Sequence, residues 1–312
     1  MSIPVILQIV VTIVILMSIP PLLIWAERRL LAGIQDRIGP NRVGYFGIMQ
    51  SLADAIKLLF KEDWVPPFAN RILFLIAPTI VLITVLITFA IVPFTDTLWI
   101  ADLNIGLLVF LGLSSLGVYS VTLGAWSQNN KYALLGGIRA AAQMISYELA
   151  VGLSVVPVVM QAGSFNLREI VMAQDIPFAL TQPVAFIIFL IAGFAETKRL
   201  PFDLPEAENE LVSGFHTEYA SMKFALFMLG EYLGLMLFST MTVVLFLGGW
   251  RGPWLPPIVW FILKVAVLIF IFMWVRGTLP RVRYDQLMSF AWKYVIEIAL
   301  LNILITGAIG LW

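Results

Sequence analysis

The sequence lacks the residues that build most redox and metal centres. Its 312 residues contain no cysteine and a single histidine, His216. Without cysteine there is no disulfide, no Cys-ligated iron–sulfur cluster and no Cys-ligated zinc site. The sequence also contains no G-x-G-x-x-G motif and no phosphate-binding P-loop. We therefore predict no metal site, bound cofactor or catalytic residue on this chain, and a hydrogen-bonding role for His216. Any redox chemistry that the protein serves must use centres on other chains.

Charged residues are scarce as well. They make up 12% of the chain against 61% hydrophobic residues, and the mean hydropathy is +0.96. A soluble domain of this length could not bury so much apolar surface, and continuous apolar runs exclude the alternating pattern of a β-barrel. We predict an all-α polytopic membrane protein, with residues 1–312 forming one transmembrane domain. Its eight transmembrane helices are predicted over residues 4–26, 73–95, 104–126, 140–161, 181–197, 221–247, 256–277 and 291–311.

The distribution of positive charge predicts the orientation. Arg168 and Arg251 lie in loops on one side and Lys264 lies within a helix, so the remaining 16 of the 19 Lys and Arg residues flank the other side. By the positive-inside rule, both termini are expected on the outer face. The inner loops are then predicted over residues 27–72, 127–139, 198–220 and 278–290.

The first inner loop contains a predicted amphipathic helix over residues 46–61. Gln50, Asp54, Lys57 and Lys61 fall at helical spacing along one stripe, and apolar residues fill the remaining surface. Pro66 and Pro67 follow the segment and favour a stop. A helix of this composition is expected to lie in the membrane interface.

Residues 196–218 contain an acidic cluster between two apolar segments. Six of the 19 acidic residues of the chain fall in this short stretch. A helix beginning at Pro205 would account for one or two of them through its N-terminal dipole, but not for six. Because a carboxylate near lipid requires water, a partner or a proton, the cluster indicates proton handling, a docking surface for cations, or both.

Other ionisable residues are predicted inside the helices themselves. Glu148 follows Ser146 and Tyr147, Glu231 precedes Tyr232, and Glu297 lies in the last helix. Such residues usually face a bundle interior or a wet cavity and carry function. The alternative is a structural ion pair, for example of Lys264 with a glutamate, and for Glu297 contact with a partner subunit.

Charges at the inner end of the first helix suggest a second kind of site. If Arg28, Arg37, Asp54 and the acidic cluster converge, they form a cavity with apolar walls and a charged mouth. Such a cavity suits an amphiphile with a polar head and a lipid tail. Ordinary inside-positive anchoring of the helix is the other explanation of these charges.

These segments together resemble one protein family, the H subunits of proton-translocating NADH–quinone oxidoreductase, respiratory complex I. The similarity extends over nearly the whole chain in the family's order. The blocks that carry it are Ala26-Glu-Arg-Arg29, Gln35-Asp-Arg-Ile-Gly-Pro-Asn-Arg-Val-Gly44, residues 50–63, Asn129-Asn-Lys-Tyr132, Arg139-Ala-Ala-Ala-Gln-Met-Ile-Ser-Tyr-Glu148, residues 196–219 and Arg281-Val-Arg-Tyr-Asp-Gln-Leu-Met288.

The resemblance implies a heel subunit that forms the membrane part of a quinone chamber and couples quinone reduction to proton translocation through buried carboxylates. The positions matching the chamber are Glu27, Arg28, Arg37, Asp54 and Arg199. The positions matching the proton relay are Glu148, Glu196, Glu206, Glu208, Glu210 and Glu231.

The resemblance also implies the chain's partners. It would act as a subunit of a translocase without redox centres of its own, with quinone as substrate and with flavin and iron–sulfur clusters on partner subunits. The other subunits of both arms, quinone and lipid are the expected partners, and nucleic acid is not. The expected location is a bacterial inner membrane or an organellar inner membrane.

Three other functions are consistent with the residues. The first is the anchor subunit of a related membrane-bound hydrogenase, and the second is a stand-alone ion transporter. Transporters commonly contain internal repeats, and no repeat is visible here. The third is a purely structural anchor whose carboxylates serve only subunit docking.

Overall fold

The structure, a computed structural model, describes residues 3–206 and 208–310. The described residues form helices and connecting turns with no β-strand, which confirms the predicted all-α class. The helices are α1 (Ile3–Ile34), α2 (Gln50–Phe60), α3 (Arg71–Phe89), α4 (Gly106–Ser127), α5 (Lys131–Ala162), α6 (Leu167–Met172), α7 (Phe178–Thr181), α8 (Pro183–Glu196), α9 (Glu208–Leu211), α10 (Ser221–Phe246), α11 (Pro257–Thr278) and α12 (Tyr284–Gly310).

Seven of these helices are long and apolar enough to cross a membrane: α1, α3, α4, α5, α10, α11 and α12. The segment predicted as the remaining span is α8, which has 14 residues and a length of about 21 Å. It is short because Gln182 leaves the helical conformation before Pro183, as residues preceding proline tend to do. At the other end of α8, Lys198 adopts a left-handed backbone conformation with a φ of 53°, so the helix does not continue beyond this point.

Three helices extend well beyond their predicted bounds. Helix α12 begins at Tyr284, seven residues before its predicted start, and so takes up most of the predicted inner loop 278–290. Helix α1 continues to Ile34, so Glu27 and Arg28 lie within it and not at its end. Helix α5 begins at Lys131 because the side chain of Asn130 accepts a hydrogen bond from the backbone N–H of Tyr132, an N-cap interaction. The predicted loop before this helix is thereby reduced to a tight turn.

The predicted amphipathic helix is present as α2 and begins four residues later than expected. Its apolar side chains Leu52, Leu59 and Phe60 are exposed, as a helix that rests on lipid or a partner requires. The first turn of α2 and the turn that follows its end are tied to the bundle. Ser51 Oγ donates to the carbonyl of Pro21 at 2.6 Å, and Lys223 Nζ lies 2.5 Å from Asp63 Oδ1.

Helix α10 forms the centre of the bundle. In the most apolar 18-residue stretch of α10, 78% of the residues are buried, whereas 11% are buried in the corresponding stretch of α1. Phe238 of α10 packs on Phe110 of α4 and Phe189 of α8, with ring centres 5.8 and 6.0 Å apart. Helix α1 therefore lies at the periphery, where one face remains for lipid or another subunit.

Two buried glutamines hold the acidic segment, residues 198–220, against α4 and α5. Gln143 Nε2 donates to the carbonyls of Ala195 and Phe202, both at 2.8 Å. Gln128 Nε2 donates to the carbonyl of Phe215 at 2.5 Å, and its Oε1 accepts from the backbone N–H of Glu218. Since both amides are fully buried, these bonds satisfy loop carbonyls that water cannot reach.

A close backbone approach between α5 and the acidic segment requires glycine at position 136. A Cβ atom there would lie 2.8 Å from Gly214 Cα and 2.8 Å from the Phe215 nitrogen. Both contacts are with backbone, which cannot rotate away. Gly152, on the same helix, faces open space and offers an internal comparison.

We expect Gly136→Ala to lower the stability of the protein by about 1–3 kcal/mol, because the added methyl group forces the loop from α5. Gly152→Ala is the matched control, and it should leave stability unchanged or raise it because alanine favours helix. Thermal unfolding of both variants in detergent measures the difference. Equal midpoints for the two variants would contradict the close packing described here.

Candidate functional site

A buried arginine connects α1 and α10 through two carboxylates. Arg199 is 2% exposed, and its Nη1 lies 2.6 Å from Glu27 Oε2 on α1. Its Nε lies 2.8 Å from Glu231 Oε1 on α10, with the geometry of an ion pair and not of an aligned hydrogen bond. The guanidinium also stacks over the ring of Tyr232, 4.3 Å from its centre, a cation–π arrangement. Arg276 of α11 completes the group through an ion pair with the second oxygen of Glu27. We call these five residues the ionic cluster.

The chain reversal after α8 places Arg199 in this cluster. Thr197 donates its hydroxyl to the carbonyl of Gly193 at 2.8 Å, and the backbone N–H of Arg199 returns to the carbonyl of Phe194 at 3.2 Å. Helix α8 therefore ends in a tight turn that points Arg199 toward α1 and α10. The charge of Arg199 is buried only because Glu27 and Glu231 meet it there.

A second charged group lies where α1 meets α2. Arg28 Nη1 is 2.6 Å from Asp54 Oδ2, and Gln50 Nε2 donates to the other oxygen of Asp54 at 2.8 Å. Burial acts to raise the pKa of Asp54, but hydrogen bonds from Arg28 and Gln50 hold it below its usual value. Arg37 is not part of this group: it is exposed, and its Nε donates to Gln35 Oε1. The structure thus brings Arg28 and Asp54 together and leaves Arg37 apart.

A cavity of about 70 Å³ lies beside the ionic cluster, among α3, α4, α5, α8 and α10. Its polar lining includes Glu231 and Glu196, which belong to two different helices, together with Lys198 and Thr88. A volume of this size holds a small number of water molecules, and the carboxylates provide the polar partners that such water needs. The cavity can therefore connect Glu231 and Glu196 by hydrogen bonds through water.

Among the described residues, the other predicted relay carboxylates do not line this cavity. Glu148 on α5 is partly buried and lies within electrostatic range of Glu196. Glu206 lies within electrostatic range of Glu231, and its buried Oε1 has no hydrogen-bond partner among the described residues. Glu210 points to the surface, where it pairs with Arg139 at 2.6 Å. The side chain of Glu208 lies outside the described residues.

Burial sets the protonation of the groups in the acidic segment. It raises the pKa of Glu206 to about 8, with further increases from the charges of Glu231 and Asp203. Burial also raises the pKa of Asp203, against the ion pair that Asp203 forms with Arg281 at 2.9 Å. The pKa of His216 falls to about 4 through burial and the nearby charge of Lys198. His216 Nδ1 has no hydrogen-bond partner in the part of the chain that the structure describes, which does not match the hydrogen-bonding role predicted for it.

An apolar cleft of about 470 Å³ runs along α1, α10 and α11, the helices that carry Glu27, Glu231 and Arg276. It begins about two helical turns from the ionic cluster. Its lining is almost entirely hydrophobic, and the residues nearest the cluster are Ile19, Met236 and Ile269. The same three helices therefore carry the ionic cluster toward one end and line the apolar cleft farther along their length.

Several participants in the site carry no distinctive sequence signal. The sequence marks Arg276 and Lys198 only as inside-positive charges. In the structure Arg276 joins the ionic cluster and Lys198 lines the cavity.

Lys264 does not pair with a glutamate. Its Nζ donates to the carbonyls of Leu247, Gly249 and Arg251. Glu297 is exposed on α12, which fits a contact outside this chain. The described residues contain no group of His, Cys, Asp and Glu that could hold a metal ion.

Comparison with known proteins identifies the family. The family model described as NADH dehydrogenase matches residues 7–307. The chain is 56% identical to the second of the NADH-quinone oxidoreductase H subunits of Syntrophobacter fumaroxidans, over 98% of this chain and 95% of the relative. It is 57% identical to the H subunit of the NADH-quinone oxidoreductase of Syntrophotalea carbinolica, over 93% of this chain and 91% of the relative. It is 55% identical to the first of the corresponding H subunits of Geobacter metallireducens, over 94% and 92% of the two chains. The chain therefore belongs to the NADH dehydrogenase family.

Proposed function

We propose that this chain is the H subunit of a proton-pumping NADH–quinone oxidoreductase, where it forms the membrane part of the quinone chamber and couples quinone reduction to proton movement. The observation that carries the proposal is the ionic cluster, which buries Arg199 between Glu27 and Glu231 at the edge of a cavity that Glu196 and Lys198 also line. The names of the relatives support the choice of enzyme.

The chamber is proposed where α1, α2 and α10 meet. A quinone has a polar ring and an apolar isoprenoid tail, so its site needs a charged or polar end joined to an apolar channel. The ionic cluster and the Arg28–Asp54 pair supply the charged end. The apolar cleft along α1 and α11 supplies the apolar channel. Glu27, Arg28, Asp54 and Arg199 are the proposed chamber residues. Arg37 belongs to the proposal as an exposed charge at the mouth.

The proton relay is proposed to run from the ionic cluster into the bundle. Glu231 is shared, since it pairs with Arg199 on one side and lines the cavity on the other. A change of charge in the chamber would alter the attraction between Arg199 and Glu231. Water in the cavity then links Glu231 to Glu196 and, beyond it, Glu148. Glu206, Glu208 and Glu210 form the proposed entrance on the acidic segment.

The chain contributes to the enzyme as a subunit and not as a redox centre. We assign the iron–sulfur clusters to partner subunits because this sequence has no cysteine, and we assign the flavin to partner subunits because of the family to which the chain belongs. We propose that residues 1–312 form one transmembrane domain in a bacterial or organellar inner membrane, with α8 as a short eighth span and both termini on the outer face. The acidic segment and α2 then face the peripheral subunits, with lipid and the other membrane subunits around the helices.

The alternatives are less well supported. A hydrogenase anchor would keep the acidic segment without requiring an apolar cleft on the helices that carry the ionic cluster. The relatives named above carry the quinone enzyme's name. A stand-alone transporter does not fit the family. A docking role alone does not account for Glu196 and Glu231, because both face the interior cavity and not the surface.

The first prediction from the proposed function concerns the Arg28–Asp54 pair. Asp54→Asn removes the charge that holds Arg28 in place, so the KM of the assembled complex for a short-chain quinone should rise about tenfold, which is roughly 1.4 kcal/mol of binding free energy. Steady-state quinone reduction by the purified complex gives the value.

Asp96→Asn is the matched control for this substitution. Asp96 forms an exposed ion pair with Arg168 at 2.8 Å, on the opposite side of the bundle by the orientation proposed above, and its loss should leave the KM unchanged. A normal KM in Asp54→Asn would remove Asp54 from the chamber.

The second prediction concerns Glu231. Glu231→Gln keeps the size of the side chain but removes both the charge that meets Arg199 and the group that carries the proton. Quinone reduction coupled to proton movement should fall at least about tenfold, while the complex remains visible on native gels. Proton uptake by vesicles containing the complex, compared with quinone reduction, gives the ratio. A normal ratio of protons to electrons at a normal rate would exclude Glu231 from the relay.

The third prediction follows from the pKa of Glu206, which burial raises to about 8. Between pH 5 and 8 the folded protein keeps this proton while the unfolded chain, with an ordinary carboxyl pKa, has lost it. The unfolded state then binds fewer protons, so stability falls as pH rises through this window. Glu206→Gln cannot ionise and should flatten that fall.

Thermal midpoints of wild type and Glu206→Gln between pH 5 and 8 measure this effect. Glu210→Gln is the control, because Glu210 lies at the surface beside Arg139. Parallel curves for wild type and Glu206→Gln would show that Glu206 does not hold its proton in the folded state.

A further inference from the structure

Lys198 differs from the other interior cations of this protein. Arg199 has two carboxylate partners, Lys223 has Asp63, and Lys264 donates to three carbonyls. Lys198 forms no ion pair and no hydrogen bond through its ammonium group with any described side chain. Its Nζ instead lies over the ring of Phe215, 4.4 Å from the centre. A cation–π contact of this kind holds an ammonium group without fixing its direction.

The surroundings of Lys198 are strongly acidic. Its ammonium group is within electrostatic range of four carboxyl groups, those of Glu196, Asp203, Glu206 and Glu231. These come from three separate parts of the chain: the end of α8, the acidic segment and α10. His216 is the other titratable group near Lys198. No other lysine of the described residues lines the cavity that also contains Glu196 and Glu231.

From this placement we infer that Lys198 is a proton carrier between the acidic segment and the cavity, moving its ammonium group from Glu206 to Glu196. The inference rests on the proposed function, because it adds a member to the proposed relay. A lysine suits the task since its charge sits at the end of a flexible four-carbon chain. Phe215 contacts the ammonium group through its ring face, which leaves the end of that chain able to turn.

The transfer has two steps. The Lys198 ammonium gives a proton to the Glu196 carboxylate, which leaves a neutral amine and a neutral carboxylic acid. The amine then takes a proton from the carboxylic acid of Glu206, which becomes a carboxylate. One proton has moved from Glu206 to Glu196, and Lys198 has returned to its starting state. Burial lowers the pKa of the Lys198 ammonium, despite the four nearby carboxyl groups, and burial raises that of Glu206, so the two groups are brought closer in proton affinity.

The test uses the assembled complex in vesicles and compares substitutions that keep or remove the exchangeable proton. Lys198→Arg keeps the positive charge but cannot release a proton at accessible pH, and Lys198→Met removes both. If Lys198 carries protons, both variants should reduce coupled quinone turnover at least about tenfold, with the KM for quinone unchanged. If Lys198→Arg has the wild-type rate, a fixed positive charge is sufficient and the inference is wrong.

Lys223→Arg is the matched control. Lys223 is also buried and also lies over an aromatic ring, 5.3 Å from the centre of Phe74, but it is paired with Asp63 and does not line the cavity. It should keep the wild-type rate.

A second measurement applies if the larger guanidinium prevents assembly. Since this chain has no cysteine of its own, Lys198→Cys can be modified with a thiol reagent that adds a primary amine or with one that adds a quaternary ammonium. Wild-type complex treated in the same way corrects for cysteines on other subunits. Recovery with the amine alone supports proton transfer, whereas equal recovery with both reagents, or with neither, overturns it.

The Glu231→Gln variant separates failure of this inference from failure of the proposed function. If Glu231→Gln is impaired and Lys198→Arg is normal, the relay remains and Lys198 is not part of it. If both variants have normal coupled turnover, the relay itself is wrong.

Discussion

The ion pairs of Arg199 are the interaction on which the rest of the structure depends. A guanidinium that is 2% exposed costs several kcal/mol to remove from water unless carboxylates meet it, and removal of one partner from such a pair typically costs about 3–5 kcal/mol. Arg199 has such partners on two helices, and Arg276 extends the group to a third. The positions of α1, α10 and α11 at this end of the bundle are therefore coupled to the charges of four side chains.

This coupling gives the site its proposed ability to transmit a change. Glu231 is the one member of the ionic cluster that also lines the cavity, so a change in the charge of the cluster reaches the cavity directly. Apolar packing around α10 and the small volume of the cavity keep bulk water from screening that change. The buried glutamines Gln128 and Gln143 hold the acidic segment in place, and Lys198 at its start lines the cavity.

Local composition predicts much of this arrangement from the sequence. Long apolar runs identify the spanning helices, and the period of Gln50, Asp54 and Lys57 identifies α2. The density of carboxylates marks the acidic segment. What composition cannot provide is the pairing of distant charges: Glu27 meets Arg199 at a separation of 172 positions and Arg276 at 249. For the same reason the sequence places Glu27 at the end of α1, although paired charges allow the helix to continue to Ile34.

The central claim is that the membrane wall of the quinone chamber lies on this chain beside the ionic cluster. Photoaffinity labelling of the native complex with an azido-quinone, followed by peptide mapping, tests it most directly. We predict label within residues 24–61 or 199–235 that excess quinone competes away. Label confined to other subunits would contradict the claim and leave this chain without contact with the substrate.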